Sequence, residues 1–297
     1  MIDLNIISRV VLRRPLIIHP ADRRNVVRAF CAPIVCFFPY FVSFPGDAEY
    51  VYAVVMFLFI GKTNYILHLH IHRPFSTNAL LNLALDLSMG SVTGMTGSNW
   101  RIQHRYGHHR GLDEPYRGRA WELERYSVLR ALSYSVRSIA PTLCSPYAEA
   151  FRKGVLRNVR SPINYRWAFC EQTLLLLFVL LLLLLQPRLT LSYLLPIYML
   201  TFFISRYVDY LNHYGCSDRE ANPFERANNS LHRSFNSSTH NFGYHTAHHL
   251  RPSAHWTELP AIHEQIAHHI PGRCLKSFSW SFLLLPYHFV RSRRCQM

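Results

Sequence analysis

Half of the eighteen histidines fall at spacings that suit metal binding. His68-Leu-His70-Ile-His72 closes a long apolar stretch. His104-Arg-Tyr-Gly-His108-His109 follows about thirty residues later. Near the C-terminal end runs His240-Asn-Phe-Gly-Tyr-His245-Thr-Ala-His248-His249. His213 ends another apolar stretch, in Asp209-Tyr-Leu-Asn-His-Tyr-Gly215. Imidazole is the commonest metal-binding side chain and suits iron, zinc, copper and nickel. One zinc takes about four ligands, so this supply points to two metal ions. On a helix His68 and His72 share a face, as do His245, His248 and His249. Soluble di-iron bundles use Glu and Glu-x-x-His pairs; no such set is present. His70 lies two residues from each neighbour and faces away, which predicts a structural or hydrogen-bonding role. His263-Glu-Gln-Ile-Ala-His268-His269 imitates a box and is read as a packing or surface feature. His19, His232, His255 and His288 are read as ordinary polar residues.

The elements that must position these residues are apolar stretches long enough to cross a bilayer. Spans are expected at about 29–44, 50–67, 168–185 and 190–212, of which 168–185 is the clearest. Residues 1–28 read as an amphipathic surface arm with six Arg, and 98–167 and 214–297 as polar regions carrying the second and third histidine groups. Lys and Arg number thirteen in 98–167, whereas the turns 45–49 and 186–189 carry none and one. That asymmetry predicts that both termini and all histidine groups lie on the cytoplasmic side. Residues 79–97 have the length of a span. Crossing there would put the first two groups on opposite sides of roughly 30 Å of hydrocarbon, so the segment is expected to be interfacial or re-entrant.

The three boxes, in order and at span boundaries, resemble those of the integral-membrane fatty acid desaturase and hydroxylase superfamily. The run His245–Trp256 is similar to the third box of bacterial fatty acid desaturases. The H-x-x-G-H-H at the second box and Asn212-His213-Tyr214-Gly215 resemble the alkane-hydroxylase branch. The resemblance implies a single all-α domain over 1–297, with about four transmembrane helices and a cytoplasmic helical cap carrying the boxes. It implies two iron ions held by His68, His72, His104, His108, His109, His213, His245, His248 and His249, with O2 as co-substrate. The first box is H-x3-H, one residue shorter than in animal desaturases. Asp209, one turn before His213, is a candidate to orient a ligand or hold a metal-bound water, and His240 to support the site from behind. The implied activity is desaturation of a long acyl chain. Hydroxylation, acetylene formation and decarboxylation are the alternatives within the superfamily, and a non-enzymatic metal-binding membrane protein is the alternative outside it.

The acyl group would arrive on coenzyme A, an acyl carrier protein or a lipid. Arg105, Arg110 and Arg251 are candidate contacts for such an anionic carrier; a solvated positive-inside face is the other reading. Trp100, Trp121 and Trp256 are candidates to shape the tunnel mouth or anchor at the interface, with Trp256 placed in the substrate-binding set. Asp113 and Glu114 either support the site or balance Arg110 and Arg117. His19-Pro20 is not followed by the Gly-Gly of a cytochrome b5 haem motif. Electrons are therefore expected from a separate ferredoxin, rubredoxin or cytochrome b5 type donor and its reductase.

A net charge of +15 fits a membrane protein facing anionic lipid, and no motif points to nucleic acid. Seven cysteines form no C-x-x-C pair, which argues against a disulfide framework or a thiolate zinc site. Arg13 and Arg14 interrupt the first apolar run, so no cleaved signal peptide is expected.

Overall fold

The computed structural model describes residues 15–109, 127–157, 160–216 and 222–276. The chain is an all-α integral membrane protein. Among the described residues three helices are long and apolar enough to cross a bilayer: α2 (Ala48–His72), α6 (Tyr165–Leu185) and α7 (Pro187–His213). The expected span at 29–44 forms a shorter element. α1 (Arg23–Phe37) has fifteen residues and an internal Pro33, and a 3₁₀ turn at Phe38–Tyr40 prolongs it. At 1.5 Å per residue α1 covers about 22 Å, less than the hydrocarbon thickness. Its start also lies inside the expected surface arm.

α3 (Ala79–Thr93) begins at Asn78, whose side chain accepts from the Leu80 and Leu81 amides, and ends at Gly94. Gly94 adopts φ +72°, and a Cβ there would meet the Tyr198 ring at 2.7 Å, so glycine suits both the turn and the close approach. The chain then reverses through α4 (Gly97–Trp100) into a π-wound segment, Arg101–His108. The His68 and His104 rings lie 4.4 Å apart, so residues 79–97 leave the first two boxes in contact.

α1, α2, α3 and α7 share the main core. Ala29 and Ala32 let α1 approach closely, and Ile60, Leu67, Leu85, Met89, Tyr193 and Phe202 fill the space between the helices. α6 instead turns Leu174, Leu177, Leu181 and Leu184 outward, as a lipid-facing helix must. α5 (Val128–Ala150) stands in the region expected to be polar and packs along α7, where Ile139 and Leu143 join the core. Ser and Arg interleave its apolar residues, which hides it in a hydropathy reading. The third-box lobe carries α8 (Arg233–Ser238), α9 (His245–Leu250) and α10 (Leu259–Ile266). A two-residue parallel pairing of Asn229–Ser230 with Leu275–Lys276 ties its end back.

Candidate metal centre

Four segments deliver nine histidines to one place. His68 and His72 sit on the last two turns of α2, and His213 on the last turn of α7. α9 presents His245, His248 and His249 from one short helix. Box two needs a different device, because His109 would stray from His104 on an ordinary helix. The wider i→i+5 winding, with His109 N–H bonded to His104 C=O at 3.0 Å, turns His104, His108 and His109 the same way.

The side chains separate into two sets. His68, His72, His104 and His248 form one; His108, His213, His245 and His249 form the other. Within each set one ring nitrogen per residue lies within 4.8 Å of all the others. In the second set Nε2 of His213 is 3.1 Å from Nε2 of His245, which is 3.2 Å from Nε2 of His249. Nε2 of His108 lies 3.1 Å from Nε2 of His249. His109 stands between the sets, 3.0 Å from His104 through Nε2 and with its ring 4.4 Å from that of His249.

These sets fit metal ions better than they fit each other. Ligand nitrogens about 2.1 Å from a shared ion lie within about 4.2 Å of one another, a small contraction from the spacing seen. His213 Nδ1 donates to the Arg226 carbonyl at 2.9 Å, which leaves Nε2 as a lone pair aimed into the set. Among the described residues neither nitrogen of buried His72 has a hydrogen-bond partner. Burial, followed by mutual repulsion with neighbouring histidines, holds His104, His109, His245 and His249 well below the usual imidazole range. The same causes push His248 down to about 3. The rings are therefore neutral at physiological pH, the state that binds metal.

The family model for fatty acid desaturases matches residues 48–280. The chain belongs to the fatty acid desaturase family. A search of curated protein sequences finds no match to it. The match spans all four histidine-bearing segments, and the family is an oxidoreductase superfamily of desaturases and hydroxylases.

Beside the first set, this desaturase-family protein has a cavity of about 290 Å³ between α2 and α7. His68, His104, Trp100 and Phe242 form its inner end, and Phe57 and Leu58 its outer end. Asp209 lines it and accepts hydrogen bonds from Tyr134 (2.9 Å) and Arg206 (3.4 Å). Other expected positions fall elsewhere. His240 bonds to Asn25 and Lys62 and not to a cluster histidine. Arg105 donates to the Ile71 carbonyl at 2.9 Å, bracing box one. Arg251 follows α9 and is exposed. Trp256 is outside the large cavity and donates to Asp22 at 3.1 Å. Arg110, Asp113, Glu114, Arg117 and Trp121 lie outside the described residues. His70 faces Asp86 at 3.6 Å and accepts from the Phe75 amide, away from both sets. His263 is buried against Tyr244, and His269 stacks on Phe224.

Sequence reasoning missed a knot behind box three. Asp22, at the start of α1, accepts from His255 Nε2 (3.0 Å), Trp256 Nε1 (3.1 Å) and Asn25 Nδ2 (3.2 Å). Burial alone would raise its pKa, but the bonds from His255 and Trp256 and the charge of His255 hold it below the usual carboxylate range. His19 stacks on His255 at 3.6 Å. His255 and Trp256 are more than 230 residues from Asp22, so no local spacing announces them.

Proposed function

We propose that the protein is an O2-dependent fatty acyl desaturase acting at a histidine-held di-iron centre. His68, His72, His104 and His248 would hold one ion, and His108, His213, His245 and His249 the other, with His109 between them. The observation that carries this reading is a shared wall: His68 and His104 belong both to the first set and to the inner end of the apolar cavity. A chain lying in that cavity has its C–H bonds beside the site. Iron fits better than zinc, which has no redox chemistry. Bound iron would supply the oxidising power to take hydrogen from an unactivated C–H bond, with O2 and two external electrons.

The balance for desaturation is a saturated –CH2–CH2– unit, O2, two electrons and two protons giving –CH=CH– and two waters. The polypeptide places the chain and keeps water out. Trp100 and Phe242 wall the inner end and pack edge-on against His68, which fixes that ring. The ring nitrogens are buried, so adventitious proton exchange with solvent is limited. A cytoplasmic site served by a ferredoxin, rubredoxin or cytochrome b5 type donor accords with the Arg-rich segments around the boxes. Hydroxylation is the second reading, favoured by the Asn212-His213-Tyr214-Gly215 run.

Expression in a membrane host, supply of isotope-labelled saturated acyl chains and mass spectrometry of the extracted lipid test the proposal. A product two hydrogens lighter, with two irons per chain, is the expected result. An alcohol of retained saturation would transfer the protein to the hydroxylases. Zinc alone, with no product, would leave only metal binding.

A further inference from the structure

Lys62 breaks the pattern of its helix. It stands in the apolar α2, six residues and about 9 Å before His68. A cation within a span is costly and marks a partner or a pathway. Lys62 lines the cavity, donates to the Ser238 carbonyl, and lies 3.3 Å from His240 Nδ1. Neither partner is negatively charged. Among the described residues no carboxylate lies within ion-pair distance of its ammonium. Asp209, the one carboxylate among the described residues that line the cavity, is engaged by Arg206 and Tyr134. An ammonium offers three donors, and the two partners use two of them.

The cavity adds three constraints. One of its walls is lipid-facing: Leu58, which lines it, and neighbouring Val54 are each more than three-fifths exposed. Its volume, about 290 Å³, lies at the small end for ligand sites, enough for part of an alkyl chain and too little for a nucleotide carrier. Asn64, Ser205 and Thr201 add neutral polar groups to the lining near the level of Lys62. The ligand that satisfies all of these is an amphiphile entering from the bilayer, with a small anionic oxygen group.

We propose that the cavity binds a free fatty acid by its carboxylate, seated on the Lys62 ammonium, with the reacting stretch of chain against His68 and His104. This rests on the reading of the cavity as the acyl site. It assigns Lys62 to headgroup recognition.

The test uses the full-length, iron-loaded protein in detergent, with radiolabelled palmitic acid and methyl palmitate as probes of equal chain length. Wild type should bind the acid at least about tenfold more tightly than the ester. Lys62→Met should abolish that preference and Lys62→Arg should keep it, with iron content and melting temperature showing that each variant is folded. Should Lys62→Met fail to fold, the wild-type comparison decides alone. Equal binding of acid and ester, or a preference that survives in folded Lys62→Met, overturns the headgroup assignment and leaves the acyl site standing. Binding of neither probe by iron-loaded protein overturns the acyl-site reading as well.

Discussion

Arg101 holds Asp86 through two hydrogen bonds, 2.8 and 3.1 Å, across the two limbs of the 79–104 reversal. Asp86 descends on α3 and Arg101 returns three residues before His104. Asp86 also faces His70 of box one at 3.6 Å. One carboxylate therefore sets the height of box two against box one. Replacing Asp86 by Asn or Arg101 by Ala leaves a mostly buried charge without its partner. The expected loss is about 3 kcal/mol. Thermal unfolding in detergent should show both single variants lower than wild type, and Asp86→Asn combined with Arg101→Ala less than additive. Strict additivity would mean that the pair does not couple the limbs.

His213 and His70 are a matched pair for testing the ligand assignment. Both are buried histidines near the C-terminal ends of spans, but only His213 lies in a four-nitrogen set. His213→Ala should lower iron content and cut turnover by at least about a hundredfold. His70→Ala should leave iron in place and cost about 1–3 kcal/mol of stability, because the Phe75 amide loses its acceptor. Metal analysis beside melting curves separates the two effects. Equal iron loss in both variants would contradict the division into site and support.

The histidine clustering was legible in the sequence because its pairs are local. Spacings of three and four on His68/His72 and His245/His248/His249 are faces of one helix, and the polar histidines stand out at the ends of apolar runs. The contact between the first two boxes was legible by exclusion, since a full crossing at 79–97 would have parted them. What stayed hidden rests on long-range pairing. Asp22 with Trp256, and Lys62 with Ser238, have no sequence period to betray them. α5 was hidden for a different reason: its partner is the polar flank of α7 at Asp209, so its buried face includes Tyr134 and Ser135 and is not an apolar stripe. Trp256 was placed with the substrate because aromatic residues beside boxes suggest a tunnel mouth. Its indole N–H is instead spent on Asp22.

The Asp22 knot should govern the seating of box three without touching a ligand. Asp22→Ala would leave the His255 and Trp256 donors unpaired in a buried pocket. Charge-assisted bonds of this kind contribute about 1.5–3 kcal/mol each, so a loss of about 3 kcal/mol or more is expected. Asp22→Asn keeps an acceptor and should lose less. Because the folded pKa of Asp22 is depressed, its contribution is present above the ordinary carboxylate pKa and fades only as pH falls through the lower folded value. Guanidine or thermal titration at neutral pH is therefore the condition in which the difference between Asp22→Ala and wild type is fully expressed.

His240 gives the clearest acid-sensitive term. Its ring is buried, at φ +55°, with Nδ1 toward the Lys62 ammonium at 3.3 Å and Nε2 toward Asn25 Oδ1 at 3.0 Å. That pairing needs a neutral ring, accepting at Nδ1 and donating at Nε2. Burial first, then the positive charges of Lys62 and Arg28, push its pKa down to about 3. The unfolded chain would bind a proton near pH 6.5, so between about 6.5 and 3 it binds more protons than the folded one. Stability must then fall as pH drops through that window, by up to about 1.4 kcal/mol per pH unit from this residue. Above about 6.5 the residue contributes no slope. Asn tolerates positive φ, so His240→Asn removes the titration with least strain. Melting temperatures of metal-free wild type and His240→Asn, measured from neutral pH to about pH 4.5, should converge as pH falls, the variant giving the flatter curve. The other buried histidines act on both proteins and cancel in the difference. Parallel curves would show that His240 is protonated in the folded state, with Lys62 turned away from it.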